Sequence, residues 1–158
     1  LNTMKLTTKG RYAVTAILDL VIYGDVSPVN LNDISTRHKI SLSYLEQLFT
    51  RLRRQGIVES VRGPGGGYRL ACSSAQLSVA SVIEAVGEQV QTSRCDGDGV
   101  CREDRPCLTH KLWYGLDLHI RNYLDSISFE QLAKDYEGNG QASGQCDSSS
   151  ESTLHVSG

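Results

Sequence analysis

The sequence of 158 residues contains no run of eighteen apolar residues, so no segment is long and apolar enough to cross a membrane as a helix. It also has no C-x-x-C pair, which thiol redox enzymes use. No Lys-Ser or Lys-Thr follows its glycine-rich segment at 63–67, as a phosphate-binding loop would require. These absences remove the usual enzyme signatures, and we expect a protein that has no membrane partner and is not an enzyme.

The start of the chain has none of the features of a secretory signal peptide, and residues 1–3, ahead of Met4, are interpreted as an upstream remnant. A cytoplasmic location is therefore expected. Disulfides are disfavoured in that reducing compartment. The five cysteines are also an odd number, which suits a disulfide framework poorly.

Charge is divided unevenly along the chain. Residues 1–70 contain ten Lys and Arg against five Asp and Glu, whereas residues 71–158 contain six against thirteen. A basic region on an acidic chain is typical of nucleic-acid binding confined to that region. A solvated basic surface without a partner would give the same charge pattern.

Three helices are predicted in the basic region. The first begins at Thr7 or Thr8 and ends at Gly24, and its apolar stripe at helical spacing predicts core residues. The second is short and capped by Asn32. The third begins at Ser41 or Ser43 and ends at residues 55–56. Two short helices joined by a tight turn predict a helix-turn-helix.

The exposed face of the third helix is polar and basic, and the first turns of such a helix reach base edges in the major groove. The predicted base-contacting residues are Ser43, Glu46 and Gln47, and Arg51 and Arg54 are predicted to meet phosphates or solvent. Glu46 has an alternative role, because Ser43-x-x-Glu46 also matches a capping box at the start of the helix.

A hairpin follows the third helix. Residues 57–61 and 68–70 are predicted strands, and the glycine-rich turn between them lets the backbone approach a ligand closely. Behind a helix-turn-helix, this hairpin is interpreted as a wing. Arg62 and Arg69 flank its tip and are predicted to bind DNA through the minor groove or phosphates. A hairpin with a purely structural role is the alternative.

The acidic half predicts a short helix from Ser78 to Gly87, a long helix from Leu108 to Ile127, and a last helix ending near Tyr136. The long helix bears an apolar stripe with little of its own chain left to cover it. A homodimer would bury the stripe, and its two-fold symmetry would match a palindromic operator in double-stranded DNA. The predicted dimer interface consists of Leu112, Leu116, Ile120, Tyr123 and Ile127.

Between the short and long helices lies a glycine-containing acidic loop with the spacing C-x5-C-x5-C-x2-H. Its ligand candidates are Cys95, Cys101, Cys107 and His110. Three thiolates and an imidazole suit either zinc or an iron–sulfur cluster, and the residues alone leave both open. Cys72 and Cys146 have no second ligand candidate nearby and are predicted to be bystanders.

The fold class is therefore mainly α with a small β wing: a winged helix-turn-helix plus a long dimerisation helix. Residues 4–74 are predicted to form the DNA-binding domain. Residues 75–136 are predicted to contain the cluster-binding loop and the dimerisation helices. Residues 137–158 have almost no apolar content and are predicted to be disordered.

Four motifs in order give the sequence a family resemblance: MKLTTKGRYAV at 4–14, SLSYLEQLF at 41–49, VRGPGGGY at 61–68 and the Cys/His loop. From residue 4 to about 136 the chain resembles the bacterial iron–sulfur cluster regulators, a family of winged-helix transcription factors. The resemblance implies a DNA-binding dimer that controls iron–sulfur assembly genes. It also implies a 2Fe–2S cluster on Cys95, Cys101, Cys107 and His110, received from the iron–sulfur assembly machinery.

Two alternatives to cluster sensing accompany this resemblance. Related winged-helix regulators sense nitric oxide or cysteine supply, so a nitric oxide or redox-sensing role is one. The other is a structural zinc, because three cysteines and a histidine are an accepted structural zinc set.

Overall fold

The computed structural model describes residues 7–89, 100–101, 105–106 and 108–142. Six helices and four strands lie in these ranges: α1 (Thr8–Tyr23), α2 (Leu31–His38), α3 (Leu42–Arg54), β1 (Val58–Val61), β2 (Gly67–Leu70), α4 (Val79–Ala85), β3 (Val100–Cys101), β4 (Arg105–Pro106), α5 (His110–Ser126) and α6 (Phe129–Ala142). This mainly helical architecture with a small β wing confirms the predicted fold class. None of the described helices is long and apolar enough to span a membrane.

The caps of α2 and α3 set the start of the helix-turn-helix. The prediction that Asn32 caps α2 is wrong, since the extended residue Asn30 occupies that position and its side chain accepts a hydrogen bond from the Asn32 N–H at 2.9 Å. Asn32 lies inside the first turn. The α3 cap is Ser41, whose hydroxyl accepts from the Tyr44 N–H at 3.2 Å.

A tight turn joins α2 to α3. Lys39 ends α2 in the left-handed conformation, with φ of 57°. The Ser35 hydroxyl donates to the Ile40 carbonyl at 2.6 Å, which ties α2 to the chain leaving it. Ile40 is buried in the core, so the turn is anchored on its apolar side as well.

The wing is the antiparallel pair of β1 and β2, in which Glu59 lies opposite Arg69. A short segment before α2 extends this pair, because Val29 and Tyr68 exchange backbone hydrogen bonds at 2.9 and 2.8 Å. Gly67 is required there: a Cβ at this position would lie 2.4 Å from the Val29 carbonyl oxygen. The wing is therefore fixed to the segment that enters the helix-turn-helix.

One hydrophobic core unites the helices on both sides of residue 74. It includes Ile17 of α1, Phe49 of α3, Val82 of α4 and Phe129 of α6. The predicted boundary between residues 74 and 75 stays a prediction about domain organisation, and the core continues across it.

The last helix extends beyond the predicted end. The prediction that it ends near Tyr136 is wrong, since α6 continues to Ala142. Gly138 and Gly140 lie within it, and a glycine in a helix interior costs only about 1 kcal/mol relative to alanine, so it weakens a helix without stopping it. Residues 137–142 of the predicted disordered tail are therefore helical, and residues 143–158 lie outside the described residues.

Candidate nucleic-acid interface and metal-binding loop

The outer face of α3 carries the predicted base-contacting residues. Ser43, Glu46 and Gln47 are all exposed, whereas Leu45 and Phe49 on the opposite face are buried. This division follows the helical period of the sequence, because residues three and four positions apart share a face. The structure thus brings the three predicted side chains together on one solvent-facing surface at the start of α3.

The capping-box interpretation of Glu46 is wrong. A capping box would place Ser43 before the first turn, but Ser41 occupies that position and Ser43 lies within the helix. The Glu46 carbonyl accepts a hydrogen bond from the Thr50 hydroxyl at 2.8 Å, which is a contact of the backbone only. The Glu46 side chain is therefore exposed on the predicted base-contacting face of α3, without the competing role at the cap.

The arginines predicted to meet phosphates differ in their contacts within the chain. The Arg51 guanidinium donates through Nη1 to the Val86 carbonyl oxygen at 3.0 Å, next to the C-terminus of α4. Arg54 is exposed in the last turn of α3. Arg51 therefore links α3 to α4, a contact that the sequence did not indicate because 35 residues separate the two partners.

In the wing, Arg62 is exposed immediately after β1. Arg69 is also exposed but forms an ion pair with Glu59, its direct neighbour across the two strands. An exposed ion pair of this kind contributes little to stability, typically below about 1 kcal/mol. Arg62 forms no ion pair within the described residues, which makes it the wing arginine whose charge is best placed for a polyanion.

The helix-turn-helix is held to α1 by a buried carboxylate that sequence reasoning missed. The Asp19 side chain is fully buried and accepts hydrogen bonds from Arg37 and from the His38 ring. The hydrogen bond to Asp19 is the main cause that raises the pKa of the Arg37 guanidinium. The guanidinium also lies over the Tyr23 ring, 4.5 Å from its centroid.

The predicted metal-binding loop is only partly described. Cys95 and Cys107 lie outside the described residues, and Cys101 is described as backbone only, in β3 opposite Arg105 of β4. In the described ranges, no group of three or more His, Cys, Asp or Glu side chains comes together as a metal site. His110 is the one predicted ligand whose side chain is described.

His110 begins α5, and its buried Nδ1 atom has no hydrogen-bond partner among the residues that the structure describes. No other buried side-chain nitrogen or oxygen in the described ranges lacks a partner. The imidazole ring stacks on Tyr114, with ring centroids 6.1 Å apart. A buried polar atom left without a partner is costly, and a neutral ring nitrogen is a common metal ligand. The geometry of His110 therefore fits a ligand for the predicted group.

Cys72, by contrast, has the features of an inert thiol. Burial raises the pKa of the Cys72 thiol above its ordinary value, although the residue as a whole is exposed. A raised pKa lowers the thiolate fraction, and the thiolate is the form that binds metals. Cys146 lies outside the described residues.

Most of the predicted dimer interface lies open on α5, a helix with no buried residue. Leu112 is 62% exposed and Tyr123 is 66% exposed, while Leu116 and Ile120 are half-buried. Ile127 instead packs against the core of its own chain, and its carbonyl accepts a hydrogen bond from the Val79 N–H at 2.9 Å. Four of the five predicted residues thus present apolar surface, and the fifth contributes to the fold.

Two other exposed apolar residues of α5 lie on the face opposite the predicted stripe, since successive helical residues are about 100° apart. Leu118 is 45% exposed on α5 although it lies off the predicted stripe, and Tyr114 is 58% exposed. The helical spacing of the stripe did not include Leu118. The exposed apolar side chains along the predicted stripe are of the kind that marks an interaction site more often than a solvated face.

The sequence of this chain is similar to those of known transcriptional regulators. The Rrf2 family, described as iron-dependent transcriptional regulator, matches residues 6–135. A putative HTH-type transcriptional regulator, ORF2 of Azotobacter vinelandii, is 57% identical over 82% of this chain and 79% of its own length. The HTH-type transcriptional regulator IscR of Xenorhabdus nematophila is 54% identical over 85% of this chain and 82% of its own.

Solved structures agree with these sequence matches. The T. potens IscR structure has a TM-score of 0.73 and 35% identity, and the match covers 89% of this chain and 93% of that one. CymR, the global cysteine regulator of B. subtilis, has a TM-score of 0.72 and 29% identity, with 84% and 98% covered. The winged helix-turn-helix and the helices that follow it are shared with both proteins.

Proposed function

This chain belongs to the Rrf2 family and is a DNA-binding transcriptional regulator of the IscR type, and we propose that it senses iron–sulfur cluster supply through a 2Fe–2S cluster of its own. The proposed ligands are Cys95, Cys101, Cys107 and His110. The proposed output is control of iron–sulfur assembly genes, with the assembly machinery as the cluster donor. The observation that carries this proposal is the buried Nδ1 of His110, which lacks a hydrogen-bond partner within the described residues.

A ligand set of three thiolates and one imidazole is expected to release its cluster readily. A 2Fe–2S cluster is ordinarily held by four thiolates, and here one position would fall to an imidazole, which must be neutral to bind. In the sequence, Gly97, Gly99 and several acidic residues separate the cysteines, and the negative charge of these acidic residues disfavours the additional negative charge of bound thiolates. When bound, the cluster supplies an iron-containing group whose occupancy follows cluster supply in the cell.

DNA binding is assigned to α3 and the wing. We propose that Ser43, Glu46 and Gln47 contact base edges and that Arg54 and Arg62 contact phosphates or the minor groove. The exposure of all five side chains supports this assignment. Arg51 and Arg69 are weaker members of the predicted set, because both already have partners within the chain.

The functional unit is proposed to be a homodimer joined through α5. The exposed apolar side chains of Leu112 and Tyr123 support a partner helix at this surface. A two-fold pair would present two α3 helices to successive turns of the major groove, which predicts a palindromic operator. The proposed location of this dimer is the cytoplasm.

A structural zinc at the same loop is the competing proposal, and the metal content separates the two. Protein purified without oxygen should contain two iron and two sulfide ions per chain and should absorb visible light, as expected for a 2Fe–2S cluster. A colourless protein with one zinc ion per chain and no sulfide would instead establish the structural site. Cys72→Ala serves as the matched control, because its removal should leave the metal content unchanged.

A further inference from the structure

Residues 86–88, which follow α4, are fixed by several hydrogen bonds. Gly87 has a φ of 77°, its N–H donates to the Glu84 carbonyl at 2.9 Å, and the N–H of Glu88 donates to the Ile83 carbonyl at 3.2 Å. This pattern is a Schellman motif, which ends a helix with a fixed exit direction. Glu88 is therefore held in place by backbone hydrogen bonds immediately before the predicted metal-binding loop.

The Glu88 side chain completes a distant helix. Its Oε2 atom accepts a hydrogen bond from the Gly10 N–H at 2.9 Å, across 78 residues of sequence. Gly10 is in the first turn of α1, where backbone N–H groups have no partner within the helix, and the cap residue Thr7 contributes no side-chain hydrogen bond. A carboxylate is favourable at a helix N-terminus, so Glu88 replaces the missing cap.

The charge of the same carboxylate acts on a side chain of α3. Burial raises the pKa of the Tyr44 hydroxyl, and the negative charge of Glu88 adds to this rise. Tyr44 is in the first turn of α3 and packs edge-to-face on Tyr12 of α1, with ring centroids 5.8 Å apart. Glu88 thus hydrogen-bonds to the first turn of α1, and its charge acts on the first turn of α3.

A second contact fixes the same segment to α3. The Arg51 guanidinium donates to the Val86 carbonyl oxygen, and a Cβ on Gly87 would lie 3.1 Å from the Arg51 Nη1 atom. Residues 86–88 therefore contact α3 through Arg51, and the Glu88 charge acts on Tyr44 in its first turn. A shift of this segment changes the contact of Arg51 with Val86 and the charge near the first turn of α3.

We propose that Glu88 is a positioning residue that couples the metal-binding loop to the DNA-binding helices α1 and α3. This inference rests on the proposed cluster at Cys95, Cys101, Cys107 and His110. Cys95 follows Glu88 by seven residues, a tether of at most about 25 Å, so ligation of Cys95 restricts where Glu88 can sit. A displacement of Glu88 would then alter its hydrogen bond to Gly10 at the start of α1 and its charge effect on Tyr44 at the start of α3.

The experiment measures operator affinity with and without the cluster in the unsubstituted protein and in three variants. Glu88→Ala removes the acceptor and the charge, and Glu88→Gln keeps an oxygen acceptor but removes the charge. Glu130→Ala is the matched control, because it removes one carboxylate from an exposed ion pair with Lys134 on α6. Iron and sulfide analysis confirms cluster content, and hydrogen exchange at the Gly10 amide reports the cap directly.

The ratio of the two operator Kd values, cluster-free to cluster-loaded, should move at least fivefold toward one in Glu88→Ala, with cluster content retained. The Gly10 amide should exchange faster in that variant, and Glu130→Ala should change neither quantity. A Glu88→Ala protein with normal cluster content and an unchanged ratio would overturn the inference and leave Glu88 as a structural cap. If Glu88→Ala does not fold, the same ratio in Glu88→Gln decides, because the neutral amide has no charge at the start of α1 and forms only a weaker hydrogen bond there. An unchanged ratio in that variant overturns the inference as well.

Failure of the proposed function has a separate signature. In that case the unsubstituted protein itself contains no cluster, or its cluster-loaded and cluster-free forms bind the operator with equal affinity. Either result overturns the proposed function and the role of Glu88 together. A difference in the unsubstituted protein that persists in the Glu88 variants overturns the coupling role alone.

Discussion

The Asp19 carboxylate accepts two hydrogen bonds from the Arg37 guanidinium, at 2.8 Å from Nε and 2.6 Å from Nη2. The Asp19 side chain is fully buried, whereas that of Arg37 is about one-third exposed. The His38 ring adds a third contact to the same carboxylate at 2.7 Å. This cluster fixes α2 against α1 and thereby orients the turn that leads into α3.

Removing Arg37 should therefore destabilise the protein. Arg37→Met leaves the buried Asp19 carboxylate with only His38, and breaking a buried pair in this way typically costs about 3–5 kcal/mol. Because Arg37 is partly exposed, we expect a decrease near the lower end, roughly 3 kcal/mol, in the free energy of unfolding. Urea denaturation at fixed protein concentration measures it. Arg121→Met, which breaks an exposed pair with Glu84, should cost below about 1 kcal/mol, and equal costs would contradict the account.

The wing makes a prediction about salt dependence. Arg62→Ala should weaken operator binding across sequences and reduce the slope of log K against log salt by about 0.9, the value for one lost phosphate contact on duplex DNA. Lys134→Ala, on α6, removes the same charge from an exposed ion pair and should leave the slope unchanged. An Arg62→Ala protein with unaltered affinity and slope would remove the wing tip from the DNA interface.

Dimerisation is predicted to depend on the exposed stripe of α5. Leu112→Glu should not disturb the fold of one chain, because the side chain is 62% exposed there, but it would bury an unpaired carboxylate in the dimer. We expect the dimer dissociation constant to rise at least tenfold, or about 1.4 kcal/mol, in analytical ultracentrifugation. Asn122→Glu is the control, on an exposed position of α5 away from the stripe. If Leu112→Glu dimerises as tightly as the control, the interface lies elsewhere.

Glu46 is predicted to set DNA sequence specificity by weakening binding to sites that offer its carboxylate no partner. Its exposed carboxylate is repelled by phosphates, and among the amino groups in the major groove the N4 group of cytosine is its usual partner. Sites without that cytosine leave the charge desolvated and unpaired. In selection from random DNA, Glu46→Ala should lose the preference for cytosine at one position of each half-site, while Gln47→Ala should relax a different position. Identical base preferences before and after Glu46→Ala would exclude this role.

Much of the fold follows from patterns within short stretches of sequence. Helical spacing predicted the buried face of α3, and the glycine-rich turn between two apolar runs predicted the wing, because both signals are local. The cap of α2 was misplaced by two residues, since Asn30 and Asn32 are equally good caps by residue type. The end of α6 was misplaced because isolated glycines weaken a helix without ending it.

The candidate site could be predicted only where its residues are close together in the sequence. The cysteines and His110 are close in sequence, so their spacing indicated a metal-binding loop. The contacts of Asp19 with Arg37 and of Glu88 with Gly10 join residues 18 and 78 positions apart, and no local pattern reveals such pairs. These contacts link the DNA-binding elements to the rest of the chain, and only the packed helices bring them together.

The most direct test of cluster sensing is the operator preference of one preparation of the protein, measured with the proposed cluster bound and again after a chelator has removed it without oxygen. DNA sites selected from a random pool by each form are compared, and the Kd of each form is measured on both sets of sites. The account predicts palindromic sites, with at least one class bound tenfold or more differently by the two forms. The same sites bound with equal Kd by both forms would contradict it.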